Sequence, residues 1–308
     1  MFKLRIVALI LVSEMMSMNK LPSTLGSHQE KCNYMLLTWN GNTVYQVYQV
    51  SQTSQLNYIQ TPLFQIRSGY SIHSVCHSQS CDKVAAVVNS GAHGPSHYVF
   101  DLMLYDMKSG NLTKLLEGWD IYACIWDPQS EGIFFIGSSP TSFPGQQYLF
   151  HLGMANSTPT PLMAYGVRFS RSLVSLALAG NRLYIASIEG GVVESVNLDG
   201  SSREKIMDAR CVFSVDSQRI GLVSRLSDRT SKSKALIMGV LDQKISTIFN
   251  GVIFGIPYYD PSQNKLFVCS IEPKTFISPP MLYSIDMVTG EARQLMRRAV
   301  YTGFGLRP

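Results

Sequence analysis

The stretch Leu104–Leu116, LYDMKSGNLTKLL, decides how this chain is read. Strand-favouring residues run up to Asp106, a Lys-Ser-Gly-Asn turn follows, and a second strand closes on Leu115 and Leu116. The same layout returns as YLFHLGMANSTPTPLM (148–163), VESVNLDGSSREKIM (193–207), LIMGVLDQKISTIF (236–249) and LYSIDMVTGEARQLM (282–296). The closing apolar positions are Leu115, Leu162, Ile206, Ile248 and Leu295, separated by 47, 44, 42 and 47 residues. A period near this length, built from short strands, is the sequence mark of propeller blades.

A second pattern precedes the first in each repeat: an apolar strand, a turn, and a restart as strand. It reads LLTWNGNTVYQVYQV (36–50), VCHSQSCDKVAAVVN (75–89), CIWDPQSEGIFFIGS (124–138), LALAGNRLYIAS (176–187), VFSVDSQRIGLVS (212–224) and PYYDPSQNKLFVCS (257–270). Asp127-Pro128 and Asp260-Pro261 suit turn starts, because Asp bonds back to the backbone and Pro fixes φ. Gly41 and Gly180, each followed by Asn, serve the same end. Six copies give units at about 34–70, 71–119, 120–168, 169–210, 211–251 and 252–298. The expected fold class is all-β: a single six-bladed β-propeller over 34–298 with four short antiparallel strands per blade. A strand at Ala299–Tyr301, in the tail 299–308, would close the ring. A seventh, incomplete blade or a β-sandwich pair are the alternatives.

Composition agrees with strands. Of 308 residues, 45% are hydrophobic and 10% aromatic, and only 15% are charged, fewer than exposed helix faces require. The net charge of +5 comes with no dense basic patch or nucleic-acid reading module, so no nucleic-acid partner is expected. At the N-terminus, Lys3 and Arg5 precede the apolar run Ile6–Val12, and Ser13 and Ser17 follow. That is the layout of a secretory signal over residues 1–17, leaving 18–33 as an N-terminal arm. The apolar run is too short to span a bilayer and no longer one exists, so no membrane span is expected.

The segment NRLYIASIEGGVVESVNLDGSSREKIM (181–207) resembles a YWTD-type repeat of the receptor class B propellers. Leu198, Asp199, Gly200, Ser201 and Arg203 match the second half of that motif, and Tyr184 its aromatic. Ser187 stands where that family has Asp, and Ser138, Ser224, Ser270 and Asn89 stand at the corresponding places elsewhere. Units such as LYSIDMVTGEARQL also resemble TolB-like propellers. Both resemblances imply a six-bladed propeller, a fold that hosts many roles.

No G-x-S-x-G elbow, HExxH helix or phosphate loop is present, and no cofactor is implied. GAHGPSH (91–97) lacks phosphate-loop spacing and reads as a loop. Some six-bladed propellers are calcium-dependent lactonases, for which Asn181, Glu189 and Asp199 are the residues to offer. His73, Cys76, His77, Cys81, His93 and His97 form the densest set of metal-ligand types, although His73 and His77 would lie about 13 Å apart on one extended strand. Trp39, Trp126 and Tyr259 recur just before the first turn of their units, as inter-blade core or as an exposed platform.

Six cysteines in a secreted chain permit disulfides. Cys76 and Cys81 flank four residues between strand-like runs, which predicts a bridge across that hairpin, with two free thiols, metal ligation or pairing elsewhere as the alternatives. Asn111 (NLT) and Asn156 (NST) begin glycosylation sequons. The resulting expectation is a secreted, monomeric, non-enzymatic protein that binds a protein or small-molecule ligand through its loops or central channel. A calcium-dependent lactonase- or esterase-like hydrolase and a small-molecule (pigment or lipid) carrier are the alternatives.

Overall fold

The computed structural model describes residues 36–52, 55–92, 98–141, 146–155, 158–165, 174–187, 191–224, 233–260, 263–271 and 281–297. These residues are strands joined by tight turns. The first sheet holds β1 (Leu36–Asn40), β2 (Thr43–Gln52) and β3 (Gln55–Gln65). The second runs through β4 (Ser71–His77), β5 (Lys83–Ala92), β6 (Tyr98–Asp106), β7 (Leu112–Trp126), β8 (Gly132–Ser138), β9 (Gln147–Gly153) and β10 (Thr160–Tyr165). The third holds β11 (Val174–Ala179), β12 (Arg182–Ser187), β13 (Val192–Asn197) and β14 (Glu204–Asp208). The fourth is β15 (Cys211–Ser214), β16 (Arg219–Val223), β17 (Ser233–Gly239), β18 (Ile245–Asp260), β19 (Lys265–Ile271), β20 (Met281–Asp286) and β21 (Ala292–Arg297). Neighbours in each sheet are antiparallel and follow chain order.

The turns form where the side chains favour them. Gly41 takes φ +59° between β1 and β2, and Gly180 takes φ +58° between β11 and β12, a region open to glycine at no steric cost. The Asp127 carboxylate accepts the Glu131 N–H at 2.9 Å and so closes the turn between β7 and β8. Asp106 Oδ1 accepts the N–H groups of Lys108 and Ser109 at 2.9 and 2.8 Å, and Asp286 Oδ1 accepts those of Val288 and Thr289, both at 2.9 Å. The repeated turn before the last strand of a unit is therefore held by its own aspartate.

β7 carries two sheet halves. Up to Trp119 it pairs with β6, and from Asp120 it pairs with β8. Gly118, at φ +75°, gives it the bend, and its N–H is held by the buried Asp101 carboxylate at 3.1 Å. The halves then pack face to face. Ala85 and Val87 of β5 and Phe100 and Leu102 of β6 bury against Ile133 and Phe135 of β8 and Phe150 and Leu152 of β9. Burying each large apolar side chain contributes about 1.5–3 kcal/mol, so this interleaf core is the main cohesion of the second sheet. β18 repeats the arrangement, pairing with β17 through its first part and with β19 through its second.

The expected closed, six-bladed propeller is not what the chain forms. Among the described residues the strands pair into four sheets of three, seven, four and seven strands, and none of these sheets curls closed. The physical reason lies in β7 and β18, which run unbroken for 15 and 16 residues, so adjoining units share a strand instead of ending as separate blades. The segment assigned to ring closure, Ala299–Tyr301, lies outside the described residues, as do the signal segment 1–17 and the arm 18–33. Among the described residues, no helix is long and apolar enough to cross a membrane.

Candidate ligand-binding cleft

A cleft of about 400 Å³ opens where β7, β9 and β10 meet, lined by Trp119, Ser139, Tyr148, Phe150, Thr158, Pro159 and Pro161. Strand alternation builds its wall. Tyr148 and Phe150 lie two apart on β9 and share a face, while Leu149 between them points into the opposite core cluster. Pro161 pairs opposite Phe150 on β10, an edge strand that loses nothing by lacking an N–H, and the register shifts just beyond it. Trp119 stands at the point where β7 changes partners.

The rings hold one another in place. Trp119 meets Phe135 edge-on at 5.6 Å and 82°, and Phe150 at 5.1 Å and 86°. Phe135 and Phe150 stack at 5.1 Å and 16°, and Tyr148 leans on Phe150 at 5.7 Å. Such pairs contribute about 0.5–1.5 kcal/mol each beyond area burial, so the indole is fixed before any ligand arrives. Phe150 is buried, whereas Trp119 and Tyr148 are half-exposed and Thr158 is open to solvent. None of the seven lining residues is charged. The cleft thus offers aromatic and proline faces with hydroxyl groups of Ser139, Thr158 and Tyr148 at hand, which suits an uncharged molecule with a flat apolar face.

The residues singled out from sequence fall elsewhere. Trp126 is 2% exposed and Tyr259 8%, so they are core and not a platform. Trp126 Nε1–H donates to the Cys76 carbonyl at 3.1 Å, and Tyr259 O–H to Asn264 Oδ1 at 2.8 Å. The side chain of Trp39 lies outside the described residues. Among the described residues, no group of three or more His, Cys, Asp and Glu side chains could hold a metal ion. His73 packs on Phe100 at 5.2 Å and His77 on Tyr258 at 6.1 Å, so the two imidazoles serve different surroundings; His93 and His97 lie outside the described residues. Of the residues offered for a lactonase site, Glu189 lies outside the described residues, Asn181 is exposed in a turn, and Asp199 accepts the N–H and O–H of Ser201 at 2.9 and 2.6 Å within its own turn. Two of the serines singled out from sequence make local bonds: Ser138 O–H donates to the Gln146 carbonyl, and Ser224 Oγ accepts the Lys234 N–H.

The Cys76–Cys81 bridge does not form. Cys76 pairs with Ala85 inside the ladder, whereas Cys81 sits in the turn beyond it at φ +57°, so the two never face each other across strands. Cys76, Cys124, Cys211 and Cys269 are free thiols, and no disulfide joins two described residues. Cys81 is disulfide-bonded. Cys76 Sγ instead lies 3.2 Å from Cys124 Sγ. Asn111 is exposed in the β6–β7 turn, and Asn156 lies outside the described residues.

No family model matches the chain, and no curated protein matches it. Solved structures do. TolB from Acinetobacter baumannii is similar at 11% identity and a TM-score of 0.62, over 87% of this chain and 64% of its own. A puromycin-hydrolyzing peptidase of Mycobacterium tuberculosis gives 11% identity and 0.52, over 87% of this chain and 45% of its own. Acylaminoacyl peptidase of Pyrococcus horikoshii gives 12% and 0.52, over 86% and 47%. This chain therefore spans less than two thirds of each of these relatives. At such identities the likeness is one of fold alone. It corrects the resemblance drawn from the repeats: the relation to TolB is distant, and the sheets here are not closed into the propeller that resemblance implied.

Proposed function

We propose that this protein is a secreted binding or carrier protein that takes an uncharged small molecule with a flat apolar face into the Trp119 cleft. One observation carries the reading: a half-exposed indole, locked edge-on by two phenylalanines, faces a cleft of about 400 Å³ with no charged side chain among the described residues of its lining. Ring faces stack on flat ligands at little entropic cost when they are already held in place. The likeness to TolB and to parts of the two peptidases is one of fold, and it says nothing of which ligand is bound. Secretion rests on the basic-then-apolar start at Lys3–Val12, with removal of residues 1–17 and a single folded body over 34–298. N-terminal sequencing of protein recovered from the medium tests it, and an intact Met1 refutes it.

The binding test uses Nile red, an uncharged flat dye, followed by its own emission and by quenching of tryptophan fluorescence. Of the three tryptophans, Trp126 is buried, so quenching lost in Trp119→Phe locates the dye. Trp119→Ala is expected to weaken binding at least about tenfold, the equivalent of about 1.4 kcal/mol. Equal dye affinity in wild type, Trp119→Ala and Tyr148→Ala overturns the assignment.

A further inference from the structure

Cys76 and Cys124 are 48 residues apart in sequence, on β4 and on the second half of β7. In the sheet, β5 and β6 lie between those strands, so the sulfurs meet only because the sheet folds over at β7. They meet at 3.2 Å, both free thiols and both half-buried. Their surroundings fix them. Cys76 is paired in the ladder to Ala85, Cys124 to Phe135, and the Trp126 indole clasps the Cys76 carbonyl from the same β7 segment. Two buried thiols in a core ordinarily pack as small hydrophobes with their sulfurs against carbon. Here each sulfur faces the other, and no other pair of free thiols in the described residues makes such a contact.

We propose that Cys76 and Cys124 form a redox pair, a modification site at which thiol–disulfide exchange with a small-molecule disulfide ties β4 to β7. The Cys124 thiolate attacks one sulfur of the disulfide RSSR, forms a mixed disulfide and expels the first RS⁻, which leaves as RSH with the Cys124 proton. Cys76 then loses its proton, its sulfur attacks Cys124 Sγ, and the second RSH departs. Two thiols are oxidised, RSSR is reduced to two RSH, and no other reagent is needed. The order follows from the environment of Cys76. The neighbouring Cys124 sulfur, and then burial, raise its thiol well above the ordinary value, so it is the poorer first nucleophile and acts as the resolving thiol.

The link reaches the candidate cleft. Both sulfurs pack on the same apolar cluster that carries Trp119, Tyr148 and Phe150. Closing the pair pins the floor on which those rings rest.

The test is incubation of the native full chain with oxidised glutathione, then alkylation in denaturant without reductant and peptide mapping. Alkylation at Cys76 and Cys124 is expected to be lost together, with a Cys76–Cys124 linked peptide and a mass loss of two hydrogens, while Cys211 and Cys269 stay alkylatable. Cys76→Ser is expected to stop at the first step, with glutathione retained on Cys124; wild-type mapping stands alone if that variant does not fold. Full alkylation of both residues after exposure overturns the proposal, and so does a peptide linking Cys76 to Cys81. Protein that is already linked at Cys76–Cys124 when purified without reductant supports it. Nile red binding is measured separately, so loss of the cleft assignment leaves this result standing.

Discussion

Gly200 shows how a single residue joins two sheets. It turns the chain between β13 and β14 at φ +84°, and a Cβ there would stand 2.6 Å from the Leu162 carbonyl oxygen on β10. Both the backbone angle and the approach exclude a side chain, so Gly200→Ala is expected to cost about 1–3 kcal/mol, read as a lower urea midpoint with an unchanged m-value. Trp126 is the second case. Trp126→Phe keeps an aromatic ring in the core but shrinks it and leaves the Cys76 carbonyl without its donor, and a loss of at least about 1–3 kcal/mol is expected by the same measurement. Both positions were legible in the sequence, Gly200 within Leu-Asp-Gly-Ser and Trp126 by its recurring place before a turn. Trp119 was not. Its neighbours in the cleft come from β9 and β10, and nothing in the local string EGWDI marks where those rings converge. The Cys76–Cys81 expectation failed for a similarly small reason. It assumed a loop that ends at Cys81, whereas the Ser78 N–H pairs with the Lys83 carbonyl and leaves Cys81 inside the turn.

At the level of elements, the turns were the most legible part, because their chemistry is local. Asp106 and Asp286 each hold two N–H groups of the turn that follows, and those hydrogen bonds keep both carboxyls below the usual carboxylate range. Asp106→Ala is expected to speed amide exchange at Lys108 and Ser109 while the β6–β7 ladder stays protected, as hydrogen exchange would show. In the same turn, Asn111 is exposed and begins a sequon. Expressed through a eukaryotic secretory route, the protein should carry a glycan at Asn111, seen as a mass loss on glycosidase treatment; an unmodified Asn111 peptide from such material refutes it. What the repeat could not reveal is continuity. The change of partner at Trp119/Asp120 falls where one unit was expected to end, yet β7 runs straight through it. Gly118 sits in a bulge, where Glu117 and Gly118 stand opposite Asp101 and the pairing resumes at Trp119, and a periodic pattern looks the same whether neighbouring units are joined by a loop or by a bent strand.

Across the whole molecule, the two seven-stranded sheets touch directly at His77 of β4 and Tyr258 of β18. The His77 Nδ1–H donates to the Ser78 carbonyl at 3.0 Å, which leaves Nε2 as the acceptor facing the Tyr258 hydroxyl at 3.5 Å. A proton added at Nε2 removes that acceptor and buries a charge. Burial lowers the His77 pKa, opposed in part by the Ser78 carbonyl and by Asp260; burial also lowers that of His73, opposed by the Tyr122 backbone and Asp120. A histidine depressed in the folded state favours folding above its unfolded value of about 6.5 and loses that contribution as pH falls through it. Stability should therefore decline from about pH 7.5 to about pH 5, above the window near pH 4 in which the aspartates lose theirs. Urea midpoints of wild type, His73→Gln and His77→Gln at both pH values decide the matter. Each variant is expected to show a shallower decline than wild type. A wild-type midpoint that does not move, or variants that decline as steeply, would remove these imidazoles from the account of how the sheets hold together.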